Sequence, residues 1–312
     1  FDYGSLLENI TVTGYISRQQ KAYLFAFITI FFWSTIATAF KLSLKYLEPV
    51  HLVFYATLVS VMALFFILLF QGKLKLIRRF SAQDFLRFSL LGILNPCLYY
   101  IILLHAYDLL PAQEAMAINY SWVVMMVILS IPILKQKIGF KELLSIIVSY
   151  IGVVLIATKG DILALEFENL KGVSYALITT VIWALFWLFN TKHSSDTVLS
   201  LFLIFLFSLP FIAIAVYLDS GFVVPSVNGF IGAAYIGLFE MGITFVFWQS
   251  ALRLSSSVAK ISSLVFITPF LALLIVQLVL REAVLTSTVF GIVLIISGLL
   301  LQKYFTKQRT SR

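Results

Sequence analysis

The sequence predicts an all-α membrane protein with ten transmembrane helices arranged as a 5+5 inverted repeat. Three observations carry this. Of the 312 residues, 61% are hydrophobic and only 12% are charged, with a mean hydropathy of +1.03, far too apolar for a soluble domain. The apolar residues fall into runs of about 20, the length a helix needs to cross hydrocarbon. The runs of the two halves also match one another in order.

In chain order the runs cover 22 to 40, 50 to 70, 86 to 106, 112 to 134, 140 to 158, 171 to 190, 197 to 217, 228 to 251, 257 to 280 and 283 to 303. Short turns such as "YLEP", "KHSSD" and "LDSGFVVPS" separate them and leave no room for a soluble catalytic domain. Strand alternation is absent, and a backbone in lipid must satisfy its own polar groups, so each run reads as a helix. The expected organisation is a cytoplasmic tail over 1 to 21, a first five-helix repeat over 22 to 158, an extracytoplasmic connector over 159 to 170, a second repeat over 171 to 303 and a cytoplasmic tail over 304 to 312.

The net charge of +8 is spread in a way that argues against a nucleic-acid partner. With a cytoplasmic N-terminus, the inside segments hold Arg18, Lys21, Lys73, Lys75, Arg78, Arg79, Arg87, Lys135, Lys137, Lys141, Lys192, Arg253, Lys303, Lys307, Arg309 and Arg312. The outside segments hold only Lys41, Lys45, Lys159, Lys171 and Arg281. This asymmetry is the positive-inside pattern. It places both termini in the cytoplasm; the expected site is a prokaryotic inner membrane.

Self-similarity gives the architecture its second half. "LLGILNPCLYYIILLHAY" (90 to 107) aligns without gaps to "YIGLFEMGITFVFWQSAL" (235 to 252), placing Gly92 on Gly237 and Asn95 on Glu240. "FFWSTIATAFK" faces "VIWALFWLFNT", pairing Trp33 with Trp183, and "SYIGVVLIA" faces "IISGLLLQK", pairing Gly152 with Gly298. Five helices per half is odd, so the second half enters the membrane with opposite orientation. That inverted arrangement recurs in secondary transporters.

The paired Trp segments, "GLFEMGITFVFWQSAL" followed by "SSVAKISSLVFITPFLALL", and "EAMAINYSW" in span 4 together resemble the drug/metabolite transporter superfamily, EamA type, across residues 22 to 303. "EAMAINYSW" looks most like the amino-acid exporter branch, in which Pro often follows this Trp; here Val123 stands there, while Pro269 keeps the corresponding proline in span 9. The resemblance implies a small-molecule substrate, a central cavity lined by spans 1, 3, 4, 6, 8 and 9, alternating access, and spans 5 and 10 at the periphery.

The residues support a cavity independently. At about 100° per residue, Glu240 shares one stripe of span 8 with Gly237, Thr244, Phe247 and Trp248. On span 3, Asn95 shares a face with Gly92, Tyr99 and Ala106. Span 1 gathers Trp33, Ala37 and Phe40; span 4 Asn119 and Trp122; span 6 Trp183 and Trp187; span 9 Lys260 and Ser263. Trp usually sits at the headgroup level, but Trp33, Trp122 and Trp183 fall near the middle of their spans, which favours a cavity wall over an interfacial anchor. Trp187 and Trp248 admit packing equally well.

Glu240 is the sharpest signal. A central carboxylate must be protonated, paired or facing a wet cavity, which points to a proton or amine site; a structural hydrogen bond to a neighbouring helix is the alternative. Glu114, one turn into span 4, reads either as an outer-mouth residue or as an acid favoured at a helix N-terminus. Lys260 either contributes to the cavity or snorkels from near a helix end. His51 and His105 read as interfacial. Gly152, Gly291 and Gly298 mark close packing, within the chain or against a second copy in a homodimer.

Enzyme readings find no support. HExxH, GxSxG, Walker and paired-cysteine patterns are absent, so no catalytic residue, metal or cofactor is expected. The lone Cys97 supplies neither a disulfide nor a thiolate cluster and reads as packing. The expectation is a non-ATP secondary transporter exporting amino acids or related amphipathic amines. The alternatives are a lipid scramblase and a facilitator of sugars or nucleosides.

Overall fold

The computed structural model describes residues 17–134, 139–161, 169–190, 196–255 and 264–310, and among these the regular structure is entirely helical. Among the described residues, eight helices are long and apolar enough to cross a membrane, and two shorter apolar helices, Leu143–Ala157 and Thr268–Leu280, accompany them. We label the elements α1 (Arg18–Ser43), α2 (Pro49–Phe70), α3 (Ala82–Leu109), α4 (Ala112–Ile133), α5 (Phe140–Ala157), α6 (Leu170–Asn190), α7 (Thr197–Asp219), α8 (Val227–Leu252), α9 (Thr268–Leu280) and α10 (Thr286–Thr310).

Local chemistry sets the helix starts. Ser17 and Gln20 form a capping box on α1, and Ser81 and Asp84 form another on α3. The Asp196 carboxylate accepts from the Val198 and Leu199 amides at the start of α7. Pro49 occupies the first turn of α2, where its missing N–H costs no hydrogen bond. Phe27, Phe31, Met62, Phe66 and Leu69 stay exposed around the outside, which is stable only against lipid.

Among the described residues, four segments are not continuous helices, and these breaks shape the interior. In α3, the chain passes from helix at Gly92 through Asn95, which is extended (φ −148, ψ 120), before helix resumes at Tyr99. The residue before a proline disfavours the helical region, and Pro96 follows Asn95. In α4, helix Ala112–Asn119 gives way at Tyr120 and Ser121 to helix Trp122–Leu134. In α8, helix Val227–Phe239 ends at Glu240 and a new helix starts at Ile243. The α9 segment passes from a 3-10 turn, Val265–Ile267, through α-helix into a π turn, Val276–Leu280.

A broken helix inside a membrane must satisfy its freed carbonyls from neighbouring groups. The break in α8 does so with two hydroxyls: Thr244 Oγ1 donates to the Phe239 carbonyl at 2.6 Å, and Ser60 Oγ of α2 donates to the Met241 carbonyl at 3.0 Å.

Glycines bring the helices together. A Cβ on Gly92 of α3 would lie 2.6 Å from the Ile204 carbonyl oxygen of α7, and one on Gly237 of α8 would clash with the Ala56 carbonyl oxygen of α2. Gly152 of α5 and Gly291 of α10 face each other in the same way, and Gly298 lies against Ser145 and Ser149. The glycines that suggested either packing or a contact between copies are therefore used inside one chain.

Candidate functional site

Between the broken helices lies a cavity of about 150 Å³. Its wall is built by Trp33, Ala37 and Phe40 of α1, Tyr99 and Tyr107 of α3, and Asn119, Tyr120 and Trp122 of α4. Trp183 of α6, Glu240 and Phe245 of α8, and Pro269 of α9 complete that part of it. The remaining side is aliphatic: Ile292, Ile295, Ile296 and Leu299 of α10. The resemblance placed span 10 at the periphery, and that expectation is corrected: one face of α10 packs on α5 through glycine while another closes the cavity.

Aromatic rings dominate the wall. Trp183 lies 4.4 Å from Tyr99 and 6.2 Å from Trp122 between ring centroids. Trp33 meets Phe245 edge to face at 5.9 Å. These rings give a cavity suited to an apolar body, and their faces also attract cations.

The polar groups are few and mostly held in place. Tyr99 Oη donates to Asn119 Oδ1 at 3.3 Å, Asn119 Nδ2 donates to Thr179 Oγ1 at 2.9 Å, and Thr179 Oγ1 donates to the Ala176 carbonyl at 2.6 Å. This chain ties α3 to α4 and α4 to α6. Tyr100 Oη donates to Glu240 Oε1 at 3.0 Å, so the carboxylate at the break of α8 is oriented by the re-formed half of α3. Among the described residues Glu240 has no ion pair.

Of the residues singled out in the sequence, Trp33, Tyr99, Asn119, Trp122, Trp183 and Glu240 lie on this wall. Asn95, Thr244, Trp187 and Trp248 do not. Thr244 is fully buried and spends its hydroxyl on the backbone of the break. Trp187 stands one layer back, 5.9 Å from Trp183, and Trp248 packs 5.5 Å from Trp33 beside Ala22 and Ala26. Asn95 is buried in the break of α3 with Oδ1 unpartnered. Lys260 and Ser263 lie outside the described residues.

The single stripe expected on span 8 is corrected for one reason: it supposes an unbroken helix, and the break turns Gly237 toward α2 and Thr244 toward the backbone. Glu114 is buried and forms an ion pair with Lys159 at 3.5 Å, off the cavity, so it tethers the start of α4 to the connector. His51, expected at the interface, is buried, with Nε2 2.7 Å from the Gly221 carbonyl oxygen.

Sequence reasoning missed Tyr100 and Thr179, which position the polar groups, and Tyr107 and Phe245 on the wall. The available signal was the Asn95–Pro96 pair, which announces a change of helical phase before Tyr99.

Comparisons with known proteins agree with this architecture. The profile of the EamA-like transporter family matches residues 20–158 and 170–302. A protein of Clostridium kluyveri named as an uncharacterized transporter is 26% identical over 290 residues, covering 89% of this chain and 92% of its own length. One from Archaeoglobus fulgidus with the same description is 23% identical over 290 residues, covering 90% and 98%. A crystal structure with 18% identity superposes at a TM-score of 0.63 over 92% of this chain and 98% of its own, which shows a shared fold. With the family matched over both halves, this chain is an integral membrane protein of the EamA-like transporter family, a class of transporters and not of enzymes.

Proposed function

We propose that this chain is a secondary transporter of small amphipathic amines, amino acids foremost, and exports them by alternating access. The observation that carries the reading is Glu240: among the described residues the one carboxylate on the wall, at a helix break and held by Tyr100, in a cavity walled, apart from Asn119, by aromatic and aliphatic groups. An ammonium group fits the carboxylate and an apolar body fits the rings.

The ten-span, 5+5 inverted architecture belongs to the same proposal, with repeats over 22 to 158 and 171 to 303, both termini cytoplasmic and a prokaryotic inner membrane as the site. Two structural correspondences support it. Residues 95 and 240, matched in the repeat alignment, both lie at helix breaks. Gly92 of α3 packs on α7 while its counterpart Gly237 of α8 packs on α2, the exchange a pseudo-two-fold axis would produce. Interrupted segments at corresponding positions of two halves point to the binding site of a transporter.

The test is binding and transport in lipid vesicles. Purified protein screened by thermal shift against amino acids, amines, nucleosides and sugars should be stabilised by the amine-bearing compounds. Glu240→Gln should lose that stabilisation while remaining folded. Stabilisation by sugars or nucleosides alone would overturn the amine reading.

A further inference from the structure

Phe40 and Tyr107 meet edge to face with ring centroids 5.1 Å apart, and both lie on the central cavity wall. The residues that follow them, Lys41 and Asp108, line a second cavity of about 310 Å³ together with Lys45 and Glu282. The two cavities are therefore neighbours along α1 and α3, at the end of the bundle where α1 and α3 finish and α4 begins. The Phe40–Tyr107 pair stands at their junction.

The second cavity holds two cations and two anions. Such groups ordinarily close on one another, yet none of the four makes an ion pair within 4.0 Å among the described residues. Glu282 is fixed: its Oε1 accepts from the Ala112 amide at 3.2 Å, while Oε2 is buried without a partner. Lys41 lies in the last turn of α1 and Lys45 in the turn just beyond it, whereas the carboxylates come from α3 and from the start of the α9–α10 connection. Charges of both signs share one space and stay apart, which complements a ligand that carries both charges. Desolvation on the half-buried side, at Lys41 and Glu282, strengthens such contacts relative to open solvent.

We propose that this second cavity is a vestibular binding site for the zwitterionic head of a small α-amino acid, its carboxylate taken by Lys41 and Lys45 and its ammonium by Asp108 and Glu282. The substrate class rests on the amine reading of the central cavity; the charge arrangement does not. A bare amine would fill only half of this site, so on the extracytoplasmic side of the aromatic pair, where the proposed topology puts it, the vestibule holds amino acids in preference to their decarboxylated analogues.

The experiment uses the full chain in lipid nanodiscs with three probes: L-phenylalanine, phenethylamine, which lacks the carboxylate, and 3-phenylpropionate, which lacks the amine. Wild type should bind phenylalanine more tightly than either analogue. Lys41→Met combined with Lys45→Met should weaken phenylalanine about fivefold, the scale of partly exposed charge pairs, and leave phenethylamine unchanged, which also reports a folded protein. Asp108→Asn should weaken phenylalanine and leave 3-phenylpropionate unchanged. Phenylalanine binding that is absent in wild type, or unaltered in the double lysine variant, overturns the vestibular site. Glu240→Gln separates the two proposals: loss of phenethylamine binding there bears on the central cavity alone.

Discussion

The Tyr100 hydroxyl donates to Glu240 Oε1 at 3.0 Å, joining the half of α3 that follows its break to the carboxylate at the break of α8. Each partner is supplied by the discontinuity of a different repeat. Tyr100→Phe keeps the ring, which is buried and packs 4.8 Å from Tyr99, and removes only the donor. A carboxylate released from its orienting bond should bind an amine more weakly by about 1 kcal/mol, roughly fivefold. Titration of phenethylamine into wild type and variant reads this directly, and equal affinities would remove Tyr100 from the site.

The tryptophans of the wall make a second prediction. Trp33, Trp122 and Trp183 line the cavity, whereas Tyr304 is 57% exposed on the far part of α10. Ala at each tryptophan should weaken amine binding, since a cation over an aromatic face gains ~0.5 to 2 kcal/mol and the apolar contact is lost as well. Tyr304→Ala should behave as wild type. Normal transport by all three tryptophan variants would remove the aromatic wall from the mechanism.

Helix packing gives a third. Gly92→Ala and Gly237→Ala each set a methyl against a backbone carbonyl of the opposite half, and a carbonyl in a helix cannot swing aside as a flexible side chain does. Each should cost about 1 to 3 kcal/mol, the range of overpacked cores, seen as a lower unfolding temperature in detergent. The two losses should be similar if the contacts are related by an internal two-fold, and a variant of either site that melts like wild type would contradict the close approach.

Continuous helices were legible in the sequence and broken ones were not. The runs 50 to 70 and 171 to 190 correspond to Pro49–Phe70 and Leu170–Asn190 within a residue at each end, because hydropathy alone marks a membrane helix. On the unbroken α1, stepping at the helical period found Trp33, Ala37 and Phe40 on the cavity wall. On α8 the same stepping carried Thr244 and Trp248 onto the wall wrongly, because the phase changes between Phe239 and Ile243. Composition is equally blind on α10: Ile292 and Ile295 face the cavity, and an isoleucine facing lipid has the same chemistry.

Topology provides the fourth prediction. With Cys97 replaced by Ala, single cysteines placed in the 159 to 170 connector and in the 304 to 312 tail should react with a membrane-impermeant maleimide from opposite sides of the membrane. The basis is the lysine and arginine asymmetry of the loops. Labelling from the same side would overturn the proposed arrangement of five spans followed by five.

The last prediction concerns coupling. Glu240 is the cavity's one carboxylate among the described residues, and a single carboxylate can hold a proton or a substrate ammonium but not both. Alternating exposure of such a group to the two sides exchanges one for the other, so a proton moving inward returns the site while an amine moves outward. In liposomes, an imposed pH gradient should then drive wild-type accumulation of the amine against its own gradient. Glu240→Gln keeps the shape but cannot ionise, so it neither pairs with the ammonium nor carries a proton, and the pH gradient should no longer drive accumulation. If the gradient leaves wild-type accumulation unchanged and Glu240→Gln only weakens affinity, Glu240 binds the ammonium without carrying a proton, and transport is facilitation down the substrate gradient.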